Sequence, residues 1–274
     1  MPELPEIEAV RRRLETRLRG FEIRRVELRS TQLRMPIPSD IATVLRGARI
    51  EAIRRQGKYL LFDLNNGKTW IVHLGMSGRL LVGDASVRDA HDHLVLTGSC
   101  GTVLRYNDFR RFGRLEVCAT RALPQQPLLA RLGIDVLAPE LDSERLHSLL
   151  AKRRTTIKCA LLNQQLIAGV GNIYACEALY WANLSPYRLA NSIDRIEADR
   201  LIVSLRTTLG LAIAAGGATL RDYRGTSGEM GNFQNSFAVF GRNGCRCPRC
   251  QRVPCVRLDR LGGRATYWCP TQQT

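Results

Sequence analysis

The sequence predicts an α+β protein: an N-terminal helix with an antiparallel β-sandwich or barrel, then a helical half, then a cysteine-rich ribbon. Three observations carry this. Between residues 21 and 118, short β-rich runs recur at regular spacing. Beyond residue 142 the apolar periodicity becomes helical. Five of the nine cysteines, at 245, 247, 250, 255 and 269, crowd into the C-terminal segment.

Taken in order, Glu3 to Arg19 reads as a helix. Ile7, Val10, Leu14 and Leu18 share one face, and Gly20 stops it. Strands follow at Glu22–Leu28, Tyr59–Leu64, Thr69–Leu74, His93–Leu96, Val103–Tyr106 and Leu115–Cys118. Asn65-Asn66-Gly67 between two of them is a hairpin turn. Leu123–Leu141 is rich in proline and leucine and reads as a linker. Ser143 is the expected cap of a helix through Arg154. Further helices are expected at Thr156–Asn163, Asn172–Ala182 and Asp194–Ala215, the last ended by Gly216-Gly217. Residues 218–236 are polar, glycine-containing and aperiodic, as in long functional loops. The expected organisation is a first domain at 1–122, a linker at 123–141, a helical domain at 142–236 and a finger at 237–274.

The charge is unusual. Lys and Arg total 41 against 25 Asp and Glu, a formal net charge of +16. Such a surface attracts polyanions, nucleic acid first among them. No apolar run approaches a membrane span and no signal-peptide order opens the chain, so a cytosolic protein is expected. In that compartment the clustered cysteines point to metal rather than disulfides. Cys100, Cys118, Cys159 and Cys176 read as small buried hydrophobes.

Met1-Pro2-Glu3-Leu4-Pro5-Glu6 carries the chemistry. Loss of Met1 would expose a prolyl secondary amine. An α-amino group titrates near pH ~8, below lysine, so more of it is a free nucleophile at neutral pH. Glu3 stands beside it to move a proton. Pro2 also serves as a helix start, with acidic residues complementing the helix dipole. At the other end, Cys247-Pro-Arg-Cys250 is a metal knuckle and Cys269 supplies a third thiolate. Gln272 stands where a second knuckle would place its cysteine. Cys255 or Cys245 could complete a zinc site, or the ribbon is metal-free. Between the knuckles, Arg257, Arg260 and Arg264 make a hairpin with a basic tip suited to phosphate.

Four further places stand out. Gly169-Val170-Gly171-Asn172 joins two helices, so Asn172 caps a helix, grips a phosphate, or does both. Lys58 enters an apolar strand as an exposed residue, a phosphate clamp or a proton carrier. Met76 and the Arg110–Phe112 pair sit on loops, where apolar and planar side chains can enter a base stack. Alternatively, Phe112 packs under the sheet.

These residues resemble the bacterial formamidopyrimidine-DNA glycosylases. The similarity runs nearly end to end: Pro2-Glu-Leu-Pro-Glu6, Gly57-Lys-Tyr-Leu60, His73-Leu-Gly-Met76, His91-Asp-His93, Arg110-Arg-Phe-Gly113, Gly169-Val-Gly-Asn-Ile-Tyr-Ala175, Gly217-Ala-Thr-Leu-Arg-Asp-Tyr223, Gly228-Glu-Met-Gly231 and Gly241-Arg-Asn-Gly244. The resemblance implies a β-sandwich domain bearing the N-terminal helix, then a helix-two-turn-helix domain and a zinc-ribbon-like hairpin. It implies a monomeric bifunctional glycosylase and lyase acting on double-stranded DNA with oxidised purines. Pro2 would be the Schiff-base nucleophile, Glu3 the proton donor to the sugar, and Glu6 its support. Lys58 would act in β-elimination, and Arg264 would hold the lesion phosphate for δ-elimination. Met76, Arg110 and Phe112 would fill the void, and His91, Arg154, Lys158 and Asn172 would contact DNA. The 218–236 loop would close over the extruded base. Zinc, one per chain, would be held by Cys247, Cys250 and Cys269, with Cys255 the candidate fourth ligand because Gln272 holds the usual fourth position.

The sister endonuclease VIII-type enzymes usually begin Pro-Glu-Gly-Pro and lack the Arg-x-Phe wedge. Leu4 and Arg110-Arg-Phe112 therefore favour 8-oxoguanine and ring-opened purines over oxidised pyrimidines. Three departures from the family pattern matter. Gln272 replaces a cysteine, Phe109 a common proline, and Phe240 a common tyrosine. They leave a catalytically impaired member of the fold as the alternative.

Overall fold

The computed structural model describes residues 2–84, 89–99, 101–219, 231–250 and 254–274. It divides into two compact units, Met1–Ala130 with Ala215–Asn232, and Arg131–Ala214 with Phe233–Thr274.

The first unit opens with α1 (Leu4–Leu18). Glu3 is its N-cap, and the Glu6 carboxylate accepts from the Glu3 N–H at 2.8 Å, one half of a capping box. Pro2 thus lies outside the helix, and Pro5 is the proline of its first turn. Ile7, Val10, Leu14 and Leu18 are buried as the periodicity requires. Gly20 at φ +82° turns the chain away, a conformation glycine adopts without strain.

Next come β1 (Ile23–Leu28), α2 (Ile41–Leu45), β2 (Ile50–Gln56), β3 (Tyr59–Leu64), β4 (Lys68–His73), β5 (Arg79–Gly83), β6 (Asp92–Gly98), β7 (Val103–Asn107) and β8 (Arg114–Ala119). They form two antiparallel four-stranded sheets, β1-β6-β7-β5 and β2-β3-β4-β8. One apolar cluster, with Trp70, Phe62, Leu94 and Leu104, joins residues of both sheets and α1. Apolar faces on two sheets must be covered, and a sandwich covers each with the other. The Asn65–Gly67 turn is where the sequence placed it, with Gly67 at φ +72°. β2, β5 and α2 had no expected counterpart. β2 and β5 are edge strands, and charged residues on an edge blunt the apolar signal.

The 123–141 stretch is not an open linker. It carries α3 (Pro127–Ala130) and β9 (Ile134–Asp135), and buries Leu129, Val136 and Leu141. The division between units falls inside it, at Ala130.

The second unit holds α4 (Ser143–Ala151), α5 (Ile157–Leu162), β10 (Ile167–Ala168), α6 (Asn172–Trp181), α7 (Arg195–Ala214), β11 (Arg257–Leu261) and β12 (Arg264–Trp268). β9 and β10 pair in parallel, and β11 and β12 form the C-terminal hairpin. Asp142, not Ser143, caps α4: its carboxylate accepts from the Arg145 N–H at 2.7 Å. That helix ends at Ala151, short of Arg154. α6 is buried from Ile173 through Tyr180, as expected of a helix apolar on all sides. Residues 215–219 and 231–232 group with the first unit rather than with the helices, through the Ala218–Asn232 bridge and an Ala218 bond to Glu6. Residues 220–230 of the expected base-reading loop lie outside the described residues, as does Cys100. Cys176 is buried, but Cys118 and Cys159 are only half-buried. Among the described residues, no helix is long and apolar enough to cross a membrane.

Candidate active site and nucleic-acid interface

In the first unit, Pro2, Glu3 and Glu6 gather at the start of α1, all buried. Glu6 is held from two sides: Oε2 takes the Glu3 N–H, and Oε1 takes the Ala218 N–H at 2.8 Å. Gly217, at φ +84°, packs so closely that a β-carbon there would lie 2.8 Å from Glu6 Oε1. Glycine is needed twice over, for its backbone and for the space. The helix is itself clamped to the sheet. Glu8 takes hydrogen bonds from Arg11, Arg12 and Arg55, and Glu15 takes the Ile53 N–H at 2.6 Å. Burial pushes the Glu8 carboxyl up, but its bonds to Arg11 and Arg12 win and hold it below its ordinary value.

Lys58 follows Gly57 in the two-residue turn between β2 and β3, where Gln56 pairs with Tyr59. Gly57 at φ +57° gives the turn its first central residue. Lys58 is 6% exposed, so it is not an ordinary surface lysine. Strand register brings His73 opposite Tyr59, with ring centroids 4.8 Å apart. His73 Nδ1 accepts from the Gly75 N–H at 3.1 Å. Burial, then the charges of Lys58 and Arg114, push His73 down to about 4. In the sequence His73 stands in the His73-Leu-Gly-Met76 motif with nothing local to mark a role. Counting residues from the Asn65–Gly67 turn would have found it beside Lys58. An open pocket of about 260 Å³ is lined by Arg34, Tyr59, His73, Phe112 and Arg114 among others.

A lowered histidine has a sign. The folded state disfavours the imidazolium, so its contribution is fully present above the unfolded pKa near 6.5. It is lost as pH falls from there toward the folded value of about 4. The loss is at most about 3 kcal/mol at ~1.4 kcal/mol per pH unit. Urea unfolding at pH 7 and pH 4 should therefore give a smaller stability drop for His73→Gln than for the unsubstituted chain. An equal drop in both would remove His73 as a cause.

Met76, Arg110 and Phe112 lie on the two loops at the β4–β5 and β7–β8 connections. Phe112 is 39% exposed and does not pack under the sheet. Arg110 stacks on it, its guanidinium 4.9 Å from the ring centroid, and Arg34 lies 5.8 Å from the same centroid. Met76 and Phe109 are also exposed. His91 is exposed, with its ring 6.2 Å from that of Phe109. Exposed apolar residues on glycine-flanked loops are what a stack-entering wedge needs.

In the second unit, Arg264 is exposed beside the hairpin turn Gly262-Gly263, both at positive φ. The tip is tethered from below. Lys158, fully buried, donates from Nζ to the Ala265 carbonyl at 2.8 Å and to Thr266 Oγ1 at 2.7 Å. Asn172 Nδ2 donates to the same carbonyl at 2.9 Å, while Asn172 Oδ1 is buried with no hydrogen-bond partner among the described residues. Two sequence expectations change. Lys158, expected at the DNA-facing surface, is buried and holds the strand next to Arg264. Asn172 is the first helical residue of α6, and Gly171 is the N-cap. Arg154 is exposed in the turn after α4.

The Sγ atoms of Cys247, Cys250, Cys255 and Cys269 lie within 4.8 Å of one another. Cys247 and Cys250 are 3.3 Å apart and Cys250 and Cys269 3.7 Å. A zinc tetrahedron with ~2.3 Å bonds has S–S edges of ~3.8 Å, so the set fits. Cys255 is the fourth thiol of the cluster. Cys245 is exposed and points instead to the Asn243 carbonyl. Glu177 anchors the approach to this ribbon, its buried carboxylate accepting the N–H groups of Ala238, Val239 and Phe240.

Two family models match this chain: the formamidopyrimidine-DNA glycosylase N-terminal domain over residues 1–115, and the H2TH domain of the same enzymes over 132–224. A formamidopyrimidine-DNA glycosylase of Paracoccus denitrificans is 43% identical over 282 residues, spanning all of both chains. One of Acidiphilium cryptum is 44% identical, again over both full lengths. Among solved structures, the MutM (Fpg) protein of Thermus thermophilus superposes with a TM-score of 0.87 at 38% identity, covering 99% of this chain and 98% of its own. The Lactococcus lactis Fpg in complex with DNA containing N7-benzyl-Fapy-dG superposes with a TM-score of 0.90 at 33% identity over 100% of both chains. Its complex with abasic-site DNA gives the same score, identity and coverage.

Proposed function

The chain belongs to the formamidopyrimidine-DNA glycosylase family, and from that premise we propose how its own residues divide the work. The activity is removal of oxidised purines, such as ring-opened formamidopyrimidines, from DNA, followed by strand scission at the abasic site. The observation that carries the assignment of residues is the start of α1. The Pro2 nitrogen, a secondary amine once Met1 is removed, is backed by two buried carboxylates, one of them fixed by two backbone N–H groups.

The Pro2 nitrogen attacks C1′ of the damaged nucleoside, the bond from C1′ to the base breaks, and the base leaves carrying the proton that the amine releases. Glu3 donates its proton to the ring oxygen, which opens the sugar. The product is a cationic iminium, an electron sink that acidifies C2′. Loss of a C2′ proton expels the 3′ phosphate, and a second elimination expels the 5′ phosphate. Water then frees Pro2. Glu6 holds the backbone beside Glu3, and Lys58 acts on the C2′ proton and the adjoining phosphate.

Arg264 offers a guanidinium to the lesion phosphate, with Lys158 and Asn172 fixing its strand. Met76, Arg110 and Phe112 fill the space left by the extruded nucleotide, with Arg110 toward the orphaned cytosine. His91 and Arg154, both exposed, meet backbone phosphates. Cys247, Cys250, Cys255 and Cys269 would hold zinc, which would supply a structural crosslink for the hairpin. The net charge of +16 suits DNA as partner.

The test is a duplex with one 8-oxoguanine opposite cytosine. Base release together with a borohydride-trapped protein–DNA adduct is expected. Salt-dependent binding without release would leave an impaired DNA-binding protein instead. Faster release of thymine glycol than of 8-oxoguanine would overturn the purine assignment.

A further inference from the structure

A buried polar knot joins the two loops that carry Met76, Arg110 and Phe112. Ser77 Oγ donates to Asp108 Oδ1 at 2.5 Å and accepts from the Arg110 N–H at 3.2 Å. Asp108 Oδ2 accepts from the Gly113 N–H at 2.8 Å and from the Tyr106 hydroxyl at 3.2 Å. The Asp108 backbone is tied as well. Its N–H reaches the His91 carbonyl at 3.0 Å, and its carbonyl lies 2.8 Å from His93 Nε2. Asp108 is fully buried. A carboxylate so deep persists only when donors occupy its lone pairs, and here three do.

The position of the knot is informative. The β5–β7 ladder ends at the pair Arg79–Asn107. Ser77 and Asp108 lie just beyond, where the two strands part into loops. Their side chains extend the ladder past its last backbone pair. The loops also leave no slack. A β-carbon on Gly75 would collide with the Phe112 backbone, and one on Gly113 with the Tyr106 hydroxyl. Arg111, between the two wedge residues, is held at φ +57°, a left-handed conformation that non-glycine residues keep only where the surroundings enforce it. Its N–H bonds the Asp108 carbonyl at 3.1 Å, and its own carbonyl takes the Arg34 N–H at 2.6 Å.

The geometry points to Ser77 and Asp108 as positioning residues that lock the Met76 loop and the Arg110–Phe112 loop into one rigid wedge. This rests on the reading of Met76, Arg110 and Phe112 as void-filling residues. Extruding a base costs unstacking energy, and restacking pushes back on whatever fills the gap. Side chains on two independent loops would yield one at a time. Loops pinned to one buried carboxylate must yield together. Neither Ser77 nor Asp108 touches DNA in this scheme, so their effect is confined to steps that open a duplex.

Single-turnover excision from an 8-oxoguanine·cytosine duplex is compared with strand cleavage at an abasic site in a single-stranded oligonucleotide. The second reaction uses the Pro2 amine but needs no stack to be held open. Ser77→Ala and Asp108→Asn are expected to slow duplex excision about tenfold or more, since a 1 Å misplacement can cost up to about a hundredfold. Both should keep single-strand cleavage within about twofold of the unsubstituted chain. Met76→Ala is the reference for the underlying reading and should also slow duplex excision. Normal excision by Met76→Ala would overturn the wedge itself. Slow excision by Met76→Ala with normal excision by Ser77→Ala would overturn the coupling alone. Parallel loss of both reactions in Ser77→Ala would reduce the knot to a folding element. Ser77→Ala removes one hydroxyl, so the comparison stands even where Asp108→Asn does not fold.

Discussion

Pro2→Gly abolishes the borohydride-trapped adduct with an 8-oxoguanine·cytosine duplex and lowers base release by about a thousandfold or more, the scale seen when a covalent nucleophile is lost. Glycine would still offer an amine, so the expectation rests on what proline adds. A secondary amine gives an iminium with no N–H to lose, which stays cationic at neutral pH. A primary amine gives an imine that must first be protonated. Glycine also frees the backbone next to the Glu3 cap, and a reacting atom displaced by ~1 Å can cost about a hundredfold. Duplex binding should be nearly unchanged, since the wedge loops, Arg264 and the net charge of +16 are untouched. An adduct of unchanged yield in Pro2→Gly would move the nucleophile elsewhere. Lys58, buried in its hairpin turn, is then the next amine to test, by Lys58→Ala.

Cys255→Ser is expected to reduce zinc from about one per chain to near zero, because a structural zinc site is worth about 10–16 kcal/mol when fully ligated. Serine presents a hard hydroxyl that stays protonated where Cys255 presents a soft thiolate. Cys255 also accepts the Cys247 N–H at 2.8 Å, so the substitution disturbs the first knuckle as well. The hairpin that carries Arg264 should lose order, and excision should fall about a hundredfold through misplacement of that arginine. Cys245→Ser should keep its zinc, since that thiol points away from the cluster. Metal analysis of the purified proteins reads this directly. Full zinc content in Cys255→Ser would exclude Cys255 as a ligand.

The local grammar of the fold was legible. Apolar spacing gave α1, α5, α6 and α7 to within a residue or two, because helical periodicity is written in consecutive residues. It failed where the signal is not local. β2 and β5 are edge strands with charged residues and escaped notice. The 123–141 stretch looked like a linker because proline and leucine say nothing of the partners that bury Leu129, Val136 and Leu141. The N-cap at Asp142 was missed by one residue because two capping residues stand side by side, and only geometry chooses between them.

The same division holds for the site. Pro2, Glu3 and the three thiols Cys247, Cys250 and Cys269 stand out by residue type and spacing, since each chemistry admits few side chains, whereas Lys58 and Arg264 take their expected roles from the family resemblance. The choice of Cys255 over Cys245 could not, because both lie near the knuckle in sequence and differ only in which way the chain turns. Lys158 looked like a phosphate contact, and its burial against Ala265 and Thr266 depends on a strand more than a hundred residues away. The knot at Ser77 and Asp108 had no sequence signature, being an ordinary serine and aspartate made significant by a pairing across two loops. Sequence alone determined which atoms can do chemistry, because reactivity belongs to the side chain. Tertiary structure alone decided which of them are exposed and which are spent holding the others, because burial and hydrogen-bond partners come from residues distant along the chain.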